Sequence, residues 1–331
     1  MSRYILKRLL MMIPVVIGVI VLVFTIMYFT PGDPAEIMLG ESATPEQLAA
    51  KRAELGTDQP YLVQLGNYIK KLVLHGDLGT SYTTGQSVTS EIVAKFPTTF
   101  KLAFMSVVVA VFIGVTAGVI SATKQYSIFD HVARVVALFG VSMPSFWLGL
   151  MSIIVFSVNL GWFPSSGFDK PIQWVLPSLT LGFASAGTIM RMTRSSMLEV
   201  IRQDYIRTAR SKGQTEWVVI TKHALKNALI PIITVAGIQF GGLLGGSVLT
   251  ETIFSIPGIG TLMVTAIKQR NGPIVQGSVL FTAVVFSFIN LAVDILYSFV
   301  DPRIRSQYKS KPKADKVPKA VKAGKAGEVS E

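Results

Sequence analysis

EVIRQDYIRTARSKGQTEWVVITKHALKNALIP, residues 199–231, is the longest strongly polar break between two apolar runs, and its reading decides the fold. Arg202, Arg207, Arg210, Lys212, Lys222 and Lys226 lie within it, and Arg191 and Arg194 just upstream. Trp217, Ile220, Ala224, Leu225 and Ala228 recur at three- and four-residue steps, which places them on one helical stripe. Gly213 interrupts the run, as a glycine in left-handed conformation ends a helix. The pattern predicts two short helices joined at Gly213 on the cytoplasmic face between two membrane spans. Such an element cannot form a pore, but a soluble partner can grip it.

Outward from this stretch the chain is strongly apolar. Of 331 residues, 50% are hydrophobic and 15% charged, too apolar for an ordinary soluble domain and too long for a single span. Residues 9–30 follow Arg3, Lys7 and Arg8 and are nearly all apolar. About 20 such residues at 1.5 Å rise cross a bilayer core. The run is too long for the apolar part of a signal peptide, and no small-x-small cleavage site follows, so a retained anchor is expected. Five further apolar runs lie near 99–122, 132–158, 172–190, 228–250 and 279–300, the second of them interrupted at Met143-Pro144. Lys and Arg concentrate at the N-terminus, at Lys124, in 191–227 and in the tail, which the positive-inside rule assigns to the cytoplasm. Six spans with both ends inside satisfy every connector.

Between the first two spans lies a polar segment, 31–97, that opens with PGDPA and carries more acids than bases. Glu46 to Leu55 and Tyr61 to Leu74 read as short amphipathic helices and GDLGTSY, 76–82, as a turn. This loop either caps the spans or also meets a substrate. Glycines recur at four-residue spacing, at Gly114 and Gly118, at Gly237, Gly241 and Gly245, and at Gly242 and Gly246. The plain reading is close helix packing; the sharper one makes the fifth span border a substrate path. After it, Pro257-Gly258-Ile259-Gly260 breaks one helix before another begins at Thr261, as in a re-entrant or interfacial hairpin. The Lys- and Ala-rich tail, 301–331, has almost no large apolar residues and cannot bury a core. It is either simply solvated or drawn weakly to anionic headgroups.

The sequence carries no GxxxxGK[ST] loop and so should not itself bind and hydrolyse ATP. The chain has no cysteine, and His75, His131 and His223 fall in or beside connectors, so thiol catalysis and an intramembrane Ser-His pair are excluded. No metal-ligand spacing is present, and no cofactor or metal is expected. The formal net charge of +12 follows membrane topology rather than a nucleic-acid surface, so no nucleic-acid partner is expected. Asp294 is the acid clearly inside an apolar run; it is a functional candidate by default, but Arg303 or Arg305 could hold it in a structural pair.

Three separated motifs resemble those of binding-protein-dependent ABC importer permeases of the peptide/nickel branch. They are PGDPA after the first span, the Tyr205 to Gly213 run and the Glu251 to Gly260 hairpin. The central stretch resembles the EAA loop of that family, with Arg207-Thr208-Ala209 in place of Glu-Ala-Ala and Gly213 retained. Pro231 lies 18 residues after Gly213, further than in the broad family and in keeping with the peptide branch. The hairpin matches Glu-x-x-Phe-x-x-Pro-Gly-x-Gly at Glu251, Phe254, Pro257, Gly258 and Gly260, whereas Asn271 stands where the branch has aspartate.

The resemblance implies an all-α membrane protein with six transmembrane helices, the type I ABC importer transmembrane domain. Its parts would be a first span over 1–30, an outer loop over 31–97, the transmembrane domain over 98–300 containing the coupling loop 199–231, and the tail. It further implies a place in the prokaryotic inner membrane with both termini cytoplasmic. The partners implied are a second homologous permease, two cytosolic ATPase subunits, an extracytoplasmic binding protein and the lipid bilayer. Asp204, Tyr205, Arg207, Thr208, Ala209, Lys212 and Gly213 would couple to the ATPase, and the five hairpin residues would border the translocation path. Peptides are the expected cargo, with a nickel complex as the alternative. An ion-coupled carrier would need exchangeable midplane carboxylates and finds only Asp294. A membrane-embedded enzyme lacks its catalytic pairs.

Overall fold

The computed structural model describes residues 2–40 and 42–300, without the side chains of 2–4 and 297–300. The expectations for the tail 301–331 lie outside the described residues, as do Arg303 and Arg305. Among the described residues the chain is helical, with no β-strand beyond one isolated bridge between Thr80 and Ser87.

The first helix, α1, runs over Ser2–Phe29. The polar loop between the first two spans follows with α2 (Pro34–Leu39), α3 (Pro45–Leu55) and α4 (Tyr61–His75), close to the boundaries that the sequence predicts. Local chemistry sets these starts. Asp33 Oδ1 accepts from the Ala35 amide, with Pro34 in the first turn. Thr44 and Gln47 form a capping box. Tyr61 and Tyr68 of α4 stack against Phe24 and so dock the loop on α1.

The long helix α5 (Val88–Thr123) is followed by α6 (Ile128–Ser142) and α7 (Ser145–Ser152), which continues as a wide π-helical segment to Asn159. The α6–α7 pair bends by 105° at Met143-Pro144, where proline excludes the helical hydrogen bond. Next come α8 (Pro171–Ile201), α9 (Asp204–Ser211), α10 (Glu216–Val218) with a π-helical turn Val219–Leu225, α11 (Lys226–Gly246), α12 (Val248–Ile253), α13 (Ile259–Lys268) and α14 (Gly272–Val300).

Among the described residues four helices are long and apolar enough to cross a membrane: Ile5–Phe29, Val88–Thr123, Glu216–Gly246 and Gly272–Leu296. Counting the bent pair as one span makes five. The remaining expected crossing falls in α8, which has 31 residues but is not among these by composition. Its buried face carries Ser178, Thr180, Ser185, Thr193 and Ser196, and it packs against α5, α6 and α11. A helix enclosed by protein on most sides needs less apolar surface than one facing lipid.

The α5–α8 pair is the most extensive packing in the fold. A Cβ on Gly114 would fall 2.8 Å from the Ala186 carbonyl, and one on Gly118 would fall 2.6 Å from Thr193 Cβ, so the glycine spacing serves close backbone approach here. In α11, Gly237 and Gly241 receive Val293 and Phe286 of α14 in the same way. Gly242 and Gly246 face open space among the described residues.

Two expectations need correction. The cytoplasmic connector expected over 191–227 is shorter at its start, because α8 continues past the 172–190 run to Ile201 and carries Arg191 and Arg194 as helical residues. The second helix of the break is not short, because Glu216 to Gly246 forms one continuous apolar helix through the π turn. That wide turn also changes which residues face inward: Val219, Ala224, Ala228 and Ile232 are buried, while Trp217 is 77% exposed.

Candidate functional site

Two places in the fold bring the expected site residues together. The first is the elbow after α8. Ile206 and Ala209 turn inward and join the core of Ile189, Met197, Val219 and Ala224. Asp204, Tyr205, Arg207, Thr208 and Lys212 remain exposed. Ala209 is thus small because α9 lies tight on its own bundle, and it presents no outer contact surface. Gly213 has φ +75°, a left-handed conformation that glycine adopts without strain, and a Cβ there would meet nothing within 4 Å. Its role is to turn the chain sharply; packing does not demand it. The turn is closed by Arg210, whose Nε and Nη2 donate to the Glu216 carboxylate at 2.7 and 3.2 Å. Behind it is a depression of about 510 Å³ lined by Tyr205, Gln214, Val218, Lys222, His223 and Lys226. The elbow is therefore a rigid, basic projection with exposed Trp217 beside it.

The second place is the hairpin between α11 and α13. Glu251 is fully buried. Its carboxylate accepts from Thr99 Oγ1 at 2.8 Å, Ser247 Oγ at 2.9 Å and the Thr261 amide at 3.1 Å. Thr99 Oγ1 also accepts from the Ile259 amide at 2.8 Å, so the first turn of α13 is tied to α5 through one threonine. Gly258 and Gly260 stand over the carboxylate with no room for a Cβ. A helix N-terminus that presents backbone amides to an anion is a favourable electrostatic arrangement. Phe254 is buried with Leu102, Phe168, Leu176 and Ile256, and Pro257 lies in the turn between α12 and α13. The hairpin motif is therefore a closed internal staple, built around a buried carboxyl group.

Asn271 closes the neighbouring junction. Its side-chain amide donates to Ser81 Oγ at 2.8 Å and Thr83 Oγ1 at 3.0 Å, and its oxygen accepts from the Tyr82 amide at 3.2 Å. The loop between α4 and α5 is thus fastened over the α13–α14 turn, and burial pushes the Tyr82 hydroxyl up to about 12. This is the packed-cap arrangement, and a neutral side chain that both donates and accepts suits it.

Asp294 is indeed paired, but with Arg8 of α1, whose Nη2 lies 2.7 Å from its Oδ2. Sequence distance hid this partner, since the two helices are at opposite ends of the chain. Two further polar groups escaped the sequence reading. Asp130 is fully buried and receives both Nε and Nη2 of Arg194 at 2.7 and 2.8 Å, as well as Ser121 Oγ, so α5, α6 and α8 meet at one carboxylate. Lys101 Nζ lies 3.2 Å from the Trp174 ring centre. A lone cation deep in an apolar run, and an acid three residues after a helix-starting serine, were the available signals.

Among the described residues the fold is a helical bundle with several apolar spans and a basic elbow, a multi-span membrane protein. The family model for the "Binding-protein-dependent transport system inner membrane component" matches residues 114–306, and the corresponding N-terminal model matches residues 1–103. The chain belongs to this family, the permease subunits of ABC importers, and is not an enzyme.

A dipeptide transport system permease protein of Alkalihalophilus pseudofirmus is 46% identical over 92% of this chain and 100% of its own length. A putative peptide transport system permease protein of Brucella abortus is likewise 46% identical, over 92% of this chain and 99% of its own. A glutathione transport system permease protein of Salmonella choleraesuis is 44% identical over the same shares. Among solved structures, an inward-facing MetNI methionine ABC transporter covers 64% of this chain and 97% of its own, with TM-score 0.52 and 22% identity. That likeness shows the fold, the transmembrane domain of an ABC importer.

Proposed function

We propose that this chain is one of two homologous permease subunits of an ATP-driven peptide importer, receiving di- or oligopeptides from an extracytoplasmic binding protein. The observation that carries the reading is the elbow: α9 is bonded and packed to the bundle on one face and presents Tyr205, Arg207 and Thr208 on the other. A cytosolic ATPase would close on that face, with Lys212 and Gly213 at its edge, and displace α9. Because α9 shares one core with α8 and the start of the 216–246 helix, the displacement passes into two long helices at once. The termini and the elbow lie in the cytoplasm in this reading, and 31–97 faces outward. The hairpin residues Glu251, Phe254, Pro257, Gly258 and Gly260 hold the outer mouth in shape, next to the open face of α11 at Gly242 and Gly246.

The peptide cargo is supported by the names of the relatives at 46% identity. A second reading, import of the tripeptide glutathione, is favoured by the relatives at 44%. The test is uptake by proteoliposomes holding the complete complex and its binding protein, with labelled dipeptide, glutathione or a nickel chelate offered separately. ATP-dependent accumulation of dipeptide or of glutathione decides between the two. Accumulation driven by a proton gradient without ATP would refute both.

A further inference from the structure

A cavity lies away from both sites, in the angle between α6 and the last turns of α8. It measures about 740 Å³. Four guanidinium groups surround it, those of Arg134, Arg191, Arg194 and Arg202, and Leu138 and Leu198 form apolar wall. The acid among its lining residues is Glu199. Two of the arginines are engaged: Arg194 grips Asp130, and Arg134 Nε lies 3.5 Å from the same carboxylate. Arg191 and Arg202 are exposed, and among the described residues neither is paired with a carboxylate. The cavity therefore holds an excess of positive charge that the described residues do not balance.

Its setting narrows what can balance it. Below the arginines, α6 presents Val132, Val135, Val136 and Phe139 outward, at 54%, 52%, 44% and 55% exposure. On α8 the apolar run ends at Met190 and the helix continues as polar sequence, Arg191 to Ile201, before the elbow, so apolar span gives way to water alongside the arginines. A ligand matching the whole site has an anionic head at that boundary and a long apolar tail running along α6. A peptide or nucleotide has no such tail.

We propose that this cavity is a binding site for an anionic phospholipid, its phosphate between Arg191 and Arg202 and one acyl chain lying on the Val132–Phe139 face. Basic pockets between membrane helices favour such headgroups, and each arginine near the surface contributes on the order of 1 kcal/mol. The charge needed to hold Arg194 is already supplied by Asp130, so the lipid engages the two uncommitted arginines.

The test uses the complete transporter in nanodiscs of phosphatidylcholine doped with phosphatidylglycerol. Native mass spectrometry then counts each lipid retained after gentle delipidation. The wild type should retain phosphatidylglycerol in preference. Arg191→Gln with Arg202→Gln should reduce that preference by about tenfold or more, and lysine at both positions should largely preserve it. Should the glutamine pair fail to assemble, Leu138→Trp fills the apolar wall without altering a charge and should reduce retention as well. An unchanged preference in the variants overturns the proposal. Competition by inorganic phosphate as strong as that by the lipid would make it a free-anion site and also overturn it. So would loss of the partner permease or ATPase from the glutamine variant with lipid retention intact, because the cavity would then be a protein contact.

Discussion

Gly258→Ala tests the reading of the hairpin as a staple around a buried carboxyl group. The backbone at Gly258 has φ −100° and ψ −173°, extended geometry that alanine adopts without cost, so any effect must come from space. An added Cβ would lie 2.5 Å from Thr99 Oγ1 and on top of the Glu251 carboxylate. Overpacking a filled site costs about 1–3 kcal/mol. If Thr99 is pushed away, Glu251 loses one of its donors and the Ile259 amide loses its acceptor. A buried group left unsatisfied costs about 1–3 kcal/mol more. The sum is roughly 2–6 kcal/mol, and at about 2–4 °C per kcal/mol for a mid-sized domain a fall of about 4 °C or more is expected. The assay is thermal unfolding of the purified complex in detergent, followed by loss of the monodisperse peak. Glu251→Ala alone should also destabilise, but combined with Gly258→Ala it should cost less than the sum, since the alanine Cβ then has room. A melting temperature for Gly258→Ala within a degree of wild type would refute the close-approach argument, and strict additivity would refute its link to Glu251.

The remaining expectations can be checked on the same preparation. Asp130→Asn leaves Arg194 without its carboxylate in a largely enclosed position and should cost about 2–4 kcal/mol; the double variant with Arg194→Met should recover part of that loss in the same unfolding assay. Asn271→Leu strands the Tyr82 amide and should release the outer loop, read as faster proteolysis between residues 76 and 88 with the spans intact, whereas Asn271→Asp should be milder because Ser81 and Thr83 hydroxyls can turn to donate. Gly213→Val places a β-branched residue at a positive φ; membrane insertion should be normal and ATP-dependent uptake lost, and normal uptake would remove the elbow from the coupling route. Asp294→Asn should leave the energy source of uptake unchanged and lower thermal stability modestly, since its partner Arg8 is 43% exposed.

Much of the architecture was legible because lipid imposes a simple rule. Every backbone polar group must be satisfied within a helix, so long apolar runs declare themselves, and Pro144 and Gly213 declare their breaks through missing donors and positive φ. The elbow residues were found from local pattern for the same reason: charge, helix period and one glycine lie within a few turns. The exception was Trp217, placed on one stripe with Ala224 and Ala228 and found exposed while those two are buried. Its assignment assumed 3.6 residues per turn, and the π turn at Val219–Leu225 is wider.

The sequence by itself determined that this is a helical membrane subunit with a basic elbow and an outer hairpin. Those properties rest on composition and short-range periodicity, which act within one helix. Tertiary structure alone decided which partners these charged and hydrogen-bonding groups meet. Thr99 meets Glu251 across 152 residues, Arg194 meets Asp130 across 64, and Arg8 meets Asp294 from the far end of the chain. In a low-dielectric interior a charge is tolerable where a partner waits for it, and no local pattern states which distant helix brings that partner.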